Sequence, residues 1–184
     1  MKFYQFLVIL VLIGASGCSW FTSREASKLS TSASPGQTID FGRIIEKDIL
    51  RKGGNIIFIP FSAGPGIEAN DEQDKIALMI VDGFADVIED GKTKLKIVTQ
   101  VEKADFIIEG YITERAQPGK MKRWMPGNDS ISLGVSGEIR SAKGDRLLAV
   151  FRHRKEDKTK NMTHRILGRN IGRETAQFLV SELQ

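Results

Sequence analysis

Apolar positions divide the chain into three stretches. Residues 6–13 form an unbroken apolar run, residues 19–37 are rich in Ser and Thr with few apolar groups, and from Thr38 onward apolar residues recur with regular periods. Phe41, Ile44, Ile45 and Ile49 have helical spacing, with Asp40 placed to cap the start and Gly53-Gly54 to supply a left-handed stop, so a first amphipathic helix is expected. Asn55 to Phe61 is apolar on both faces, as in a central strand, and Pro60 marks where pairing ends. Ser62-Ala63-Gly64-Pro65-Gly66 reads as a turn.

An acidic lead from Glu68 to Asp74 precedes a second helix on Ile76, Met79, Ile80, Gly83, Phe84, Val87 and Ile88. Leu95 to Thr99 follows as a short strand, which makes a strand–helix–strand crossover with parallel strands. Ala104 to Arg115, Ser130 to Arg140 and Arg146 to Arg154 read as longer strands, the last two joined as a hairpin by Ala142-Lys143-Gly144-Asp145. A last helix runs from about Thr159 to Leu183, with Met162, Ile166, Leu167, Ile171, Phe178 and Leu179 facing the core. Gly168 and Gly172 are poor helix formers, which points to close packing against the sheet. The expected fold is α/β (α+β): a mixed sheet of four to five strands with one parallel crossover and an antiparallel hairpin, packed by three helices. No internal repeat is found.

The early apolar run follows Met1-Lys2 and leads into Gly14-Ala15-Ser16-Gly17, the outline of a signal peptide over residues 1–17. It falls short of the roughly 20 residues a membrane-crossing helix needs. Ala15-Ser16-Gly17-Cys18 resembles a bacterial lipobox, which implies cleavage before Cys18 and attachment of lipid there, although Leu is absent from its usual place three residues before the Cys. The same Ala-x-Gly also fits an ordinary signal-peptidase site. In lipoprotein sorting rules Asp after the Cys favours retention at the inner membrane; Ser19 stands there, so the periplasmic face of the outer membrane is expected. Residues 18–37 then form a tether, with Trp20 and Phe21 suited to a membrane interface, and residues 38–184 form one domain.

Composition narrows the chemistry. The 184 residues include one Cys and two His, which excludes an intramolecular disulfide framework and a Cys-rich zinc site and leaves little for nucleophilic catalysis. The net charge of +4 is unevenly spread: residues 18–110 hold 11 basic and 15 acidic side chains, and residues 111–184 hold 15 and 8. The basic half, with Arg152, Arg154, Lys155, Arg165, Arg169 and Arg173, reads either as a surface for an anionic envelope component or as a solvated face. Export argues against nucleic acid as a partner. Lys120, Lys122, Arg123 and Trp124, between Pro118-Gly119 and Pro126-Gly127, resemble an exposed recognition loop; Trp124 capping the sheet end is the other reading.

The remaining features favour structural roles. His153 lies among cations with no carboxylate at ligand spacing, and His164 is likewise expected to be structural or exposed. The acidic cluster Glu68, Asp71, Glu72 and Asp74 lacks calcium-loop spacing. Gly91-Lys92-Thr93 imitates the end of a phosphate-binding loop, but Asp86 stands where its first Gly is required. No metal or cofactor is expected.

Asn55-Ile56-Ile57-Phe58-Ile59-Pro60-Phe61, Ala104-Asp105-Phe106-Ile107-Ile108-Glu109-Gly110-Tyr111-Ile112, Gly134 to Ile139 and Gly144 to Ala149 together resemble the small domain shared by the N-terminal part of TolB, secretion proteins of the CsgG type, LpoB-type activators of peptidoglycan synthases and DUF4410-type lipoproteins. The resemblance spans about residues 40–180 and implies an α/β fold on which different functions are carried. The segment around Lys120 to Trp124 is too charged and too short for pore-forming hairpins. The expected function is a non-catalytic, lipid-anchored envelope protein binding another envelope protein or an anionic component. The alternative is a small-molecule- or glycan-binding or hydrolytic domain with a cleft beside Pro60-Phe61 and Gly64-Pro65-Gly66. Sequence leaves the oligomeric state open.

Overall fold

A computed structural model describes residues 39–117, 130–159 and 161–184. Its first element departs from the periodicity. Phe41–Ile44 is a strand, β1, and the helix is reduced to α1, Lys47–Arg51. Phe41 and Ile44 fall on opposite faces of this strand, so no period-two pattern announces it and pairing decides. Antiparallel pairing with Leu147–Asp157 (β7) satisfies β1's backbone, whereas a helix would have carried Gly42 in its first turns at about 1 kcal/mol relative to Ala. Gly42 lies flat against the core, since a Cβ there would meet the Phe178 ring at 2.4 Å. Gly53, at φ +84°, ends the helical segment as its position implies.

Seven strands form one mixed sheet, against the four to five expected. The two extra strands are β1, read as helix, and β3, Ser62–Ala63, read as a turn. The others are β2 (Gly54–Phe58), β4 (Leu95–Ile97), β5 (Phe106–Ala116) and β6 (Ile131–Ser141), in the order β1-β7-β6-β5-β2-β4 with β3 added to β5. β2 pairs in parallel with both β4 and β5, and β3 with β5, while β5–β6, β6–β7 and β1–β7 are antiparallel. Pro60 is exposed in the break between β2 and β3. The β6–β7 turn carries the left-handed residues its sequence promises, Gly144 at φ +93° and Asp145 at φ +52°.

Two long helices cover one face of the sheet. α2 (Asp71–Glu89) is capped by Asn70, whose side chain accepts the Gln73 N–H; α3 (His164–Leu183) starts later than its periodicity suggests, at the cap residue Thr163. Ile76, Ile80 and Phe84 of α2 and Leu167, Ile171 and Leu179 of α3 meet Ile108, Ile112, Leu133, Val135, Ile139 and Phe151 of the sheet in one core. Phe58 lies 5.0 Å from Phe61 and 5.3 Å from Phe84 between ring centres, at separations where aromatic pairs attract. Ile166 is 46% exposed, so it faces water and not the core. The opposite parity of the central strands places Glu109, Glu138, Arg140, Arg152 and Arg154 on the other face.

The helical glycines serve a contact other than the expected one. Gly168 and Gly172 pack on α2, not on the sheet. A Cβ at Gly172 would stand 2.1 Å from the Ile80 carbonyl oxygen, and one at Gly83 of α2 would stand 2.0 Å from the Arg169 carbonyl oxygen. Backbone therefore meets backbone, and no side chain fits between. Gly172→Ala is expected to cost about 3 kcal/mol, the upper end for overpacking. Gly168→Ala, whose Cβ would lie 3.1 Å from the Ile76 carbonyl oxygen, should cost under about 1 kcal/mol because Ala is the better helix former. Urea unfolding would check both, as lowered midpoints with unchanged slope.

Candidate functional site

Cys18 and the segment with Lys120, Lys122, Arg123 and Trp124 lie outside the described residues. That segment joins β5 to β6, whose last pair before it is Ala116 with Ser132. His164 is anchored at this end of the sheet, its Nε2 2.9 Å from the Ala116 carbonyl oxygen. Of the two places expected for it, structural or exposed, the exposed one is excluded, since His164 is buried.

Three arginines of the basic half, on α3, pair with acids of the acidic half, on α2. Arg165 of α3 forms a two-point pair with Glu72 of α2, at 3.0 and 2.5 Å, and Arg169 and Arg173 both reach Asp86. Their i, i+4 spacing makes one stripe along α3, and the glycine contact sets that stripe beside the acids of α2. The Glu72 carboxyl is held below the usual glutamate range, chiefly by the Arg165 hydrogen bond. On the other sheet face Arg154 binds Glu114 at 2.9 Å and Glu156 at 3.2 Å, and Arg140 pairs with Glu138 and Asp145. The Glu114 carboxyl is lowered too, by Arg154 first and by the Ser132 hydroxyl second. Arg43 and Arg152 make no ion pair among the described residues.

The densest polar cluster is one that spacing along the chain does not show. His153 and Lys155 share the parity of Ala149 and Phe151, so both point from β7 toward the helices. His153 is 6% exposed. Its Nε2 lies 2.6 Å from Glu174 Oε2 on α3, and Lys155 binds the other oxygen of the same carboxylate. Its Nδ1 is buried without a hydrogen bond, and Asp40 Oδ2 stands 3.7 Å away. Asp40 does not cap a helix. It accepts the Arg154 backbone N–H at 2.6 Å, just where β1 begins to pair with β7.

The carboxylates near His153 are not its neighbours in sequence: strand pairing brings Asp40 and helix packing brings Glu174. The visible signal was the period-two alternation through Ala149, Phe151, His153 and Lys155, which turns the imidazole and the ammonium inward. Among the described residues no group of three His, Cys, Asp or Glu side chains is arranged to hold a metal ion.

The segment proposed to border a cleft is closed. Phe61 is 3% exposed, Ser62–Ala63 pairs with β5, and Gly64 donates its N–H to the Ile112 carbonyl at 3.0 Å. An open cleft of about 480 Å³ lies elsewhere, between Arg51, Lys92, Thr93, Lys94, Val180 and Leu183. Arg51 Nε is committed there to the Leu183 carbonyl at 3.0 Å, so it caps the C-terminal end of α3, where the helix dipole favours a cation.

Glu174 predicts an acid limb of stability. Burial raises its pKa, but the His153 and Lys155 hydrogen bonds outweigh that and hold it below the usual range. A carboxyl with a depressed folded-state pKa stabilises fully above its unfolded pKa, about 4.3, and loses that contribution as pH falls through the lower folded value. Chemical unfolding of the wild type should therefore weaken from about pH 5 downward. Glu174→Gln should flatten that limb while leaving the weaker carboxylates' share; an unchanged limb would count against the pairing.

No protein-family model matches the chain, and no curated protein matches it in sequence. Among solved structures its fold is similar to that of a variant PelC dodecamer from Paraburkholderia phytofirmans, with 10% identity over 76% of this chain and 95% of that chain and a TM-score of 0.51. A DUF4136 family protein from Bacteroides thetaiotaomicron matches at 10% identity over 78% of this chain and 96% of that one, with a TM-score of 0.42. Lipoprotein B from Nitrosomonas europaea matches at 15% identity over 69% and 79%, with a TM-score of 0.38. The likeness to PelC is one of fold, and at 10% identity it transfers no residue roles.

Proposed function

We propose that the chain is a lipid-anchored protein of the bacterial cell envelope, fixed through Cys18 to the periplasmic face of the outer membrane, whose α/β domain binds another envelope component and catalyses no reaction. The observation that carries this reading is the placement of the chain's single cysteine directly after Gly14-Ala15-Ser16-Gly17, at the end of an apolar run too short to span a bilayer. Several acyl chains at that point hold a protein stably, since each buried CH₂ contributes about 0.8 kcal/mol. The motif resemblance to TolB, CsgG-type and LpoB-type domains supports a binding or assembly role on such a scaffold. So does the make-up of the segment with Lys120, Lys122, Arg123 and Trp124, cations beside a Trp between two Pro-Gly pairs, which suits a recognition loop.

Two measurements test the proposal. Cys18→Ala should abolish labelling by a fatty-acid analogue and move the protein from the membrane to the soluble fraction; retained labelling overturns the anchor. Replacing Arg123 and Trp124 together by Ala should remove the principal in-cell crosslink without lowering the thermal midpoint, and an unchanged crosslink removes that segment from the contact.

A further inference from the structure

The environment of His153 is asymmetric: one ring nitrogen is bonded and the other is not. Glu174, held as a carboxylate, can only accept, so the imidazole Nε2 at 2.6 Å is the donor and carries hydrogen in the neutral ring as well. Nδ1 is then the bare lone pair. The polar atom facing it, Asp40 Oδ2 at 3.7 Å, is a second acceptor, which accounts for a buried ring nitrogen with no hydrogen bond.

We propose that His153 is a proton-operated clasp on the edge strand: a second proton, on Nδ1, converts the contact with Asp40 into a charge-assisted hydrogen bond and fastens the start of β1 to β7. Among the described residues the charged groups facing the ring are few. Asp40 comes from the segment entering β1, Glu174 from α3, and Lys155 from β7 itself, reaching the ring only through Glu174. β6 contributes Val135, which is apolar and sits directly opposite His153. Arg152 and Arg154 have the other parity and lie on the far face of the sheet. A cationic ring would thus stand between two carboxylates, one of them already shared with an ammonium.

β1 is the element such a bond would control. It is four residues long, stands at the end of the sheet and pairs with β7 alone. Short edge segments open locally with far less free energy than global unfolding. Asp40 already holds the Arg154 N–H, so a second bond to the same oxygen tightens a junction that exists in either state. The inference holds whether or not Cys18 carries lipid.

Amide exchange on the full chain as purified from cells tests it. Protection factors for Phe41 to Ile44, corrected for intrinsic rate, are expected to rise about tenfold from pH 8 to pH 5.5, the lower worth of one charge-assisted hydrogen bond. Imidazole ¹⁵N shifts over the same range should report a proton arriving on Nδ1 of His153. In Asp40→Asn, whose amide oxygen can still accept the Arg154 N–H, the rise should disappear. Flat protection in the wild type, no proton on Nδ1 across that range, or an equal rise in Asp40→Asn overturns the clasp. Should Asp40→Asn release β1 at both pH values, the wild-type exchange and the ring shifts decide the matter alone.

Discussion

Backbone contact between α2 and α3 is the constraint on which the rest of the domain depends. Gly83 on one helix and Gly172 on the other each leave room for a carbonyl of the neighbour, where a Cβ would stand about 2 Å from it. Two helices this close cannot be separated by a layer of side chains. Their apolar residues, Ile76, Ile80 and Phe84 with Leu167 and Ile171, are therefore all available to cover the sheet. The conformational cost of glycine inside a helix is offset by dispersion and by weak Cα–H···O contacts along the seam.

The same contact explains the charge. A chain with an acidic first half and a basic second half looks built to meet an outside polyanion. Close packing instead lays the arginine stripe of α3 along the acids of α2, where Glu72 and Asp86 take up three guanidinium groups. These pairs are about half exposed and individually contribute little, but they spend the positive field on the molecule itself. What a partner can meet is then decided by the cations left over, a smaller set than the sequence displays.

His153, Lys155, Glu174 and Asp40 show a different use of polarity. An inward-pointing imidazole and ammonium on the core face of β7 are costly unless compensated, and one carboxylate from α3 compensates both. The second carboxylate stands just beyond hydrogen-bond reach at the other ring nitrogen. That leaves the strand that begins the domain joined to its neighbour by a contact whose strength depends on ring charge. Structure and response are here properties of the same four side chains.

Much of this was legible from residues alone. A long extended run marked β5, period-two alternation marked β6, Gly144-Asp145 marked the hairpin that adds β7, and the 3.6-residue period marked α2 and α3, because each is a local match between side-chain pattern and backbone geometry. The N-terminal signal and the position of Cys18 are likewise properties of sequence. Tertiary structure decided the rest. β1 and β3 became strands because β7 and β5 offered them hydrogen-bond partners, which no local pattern records. Gly168 and Gly172 signalled close packing, but only the arrangement of the helices showed that α2 is what they touch. The carboxylates around His153 come from a strand and a helix far along the chain, and only folding brings such groups within reach of one ring.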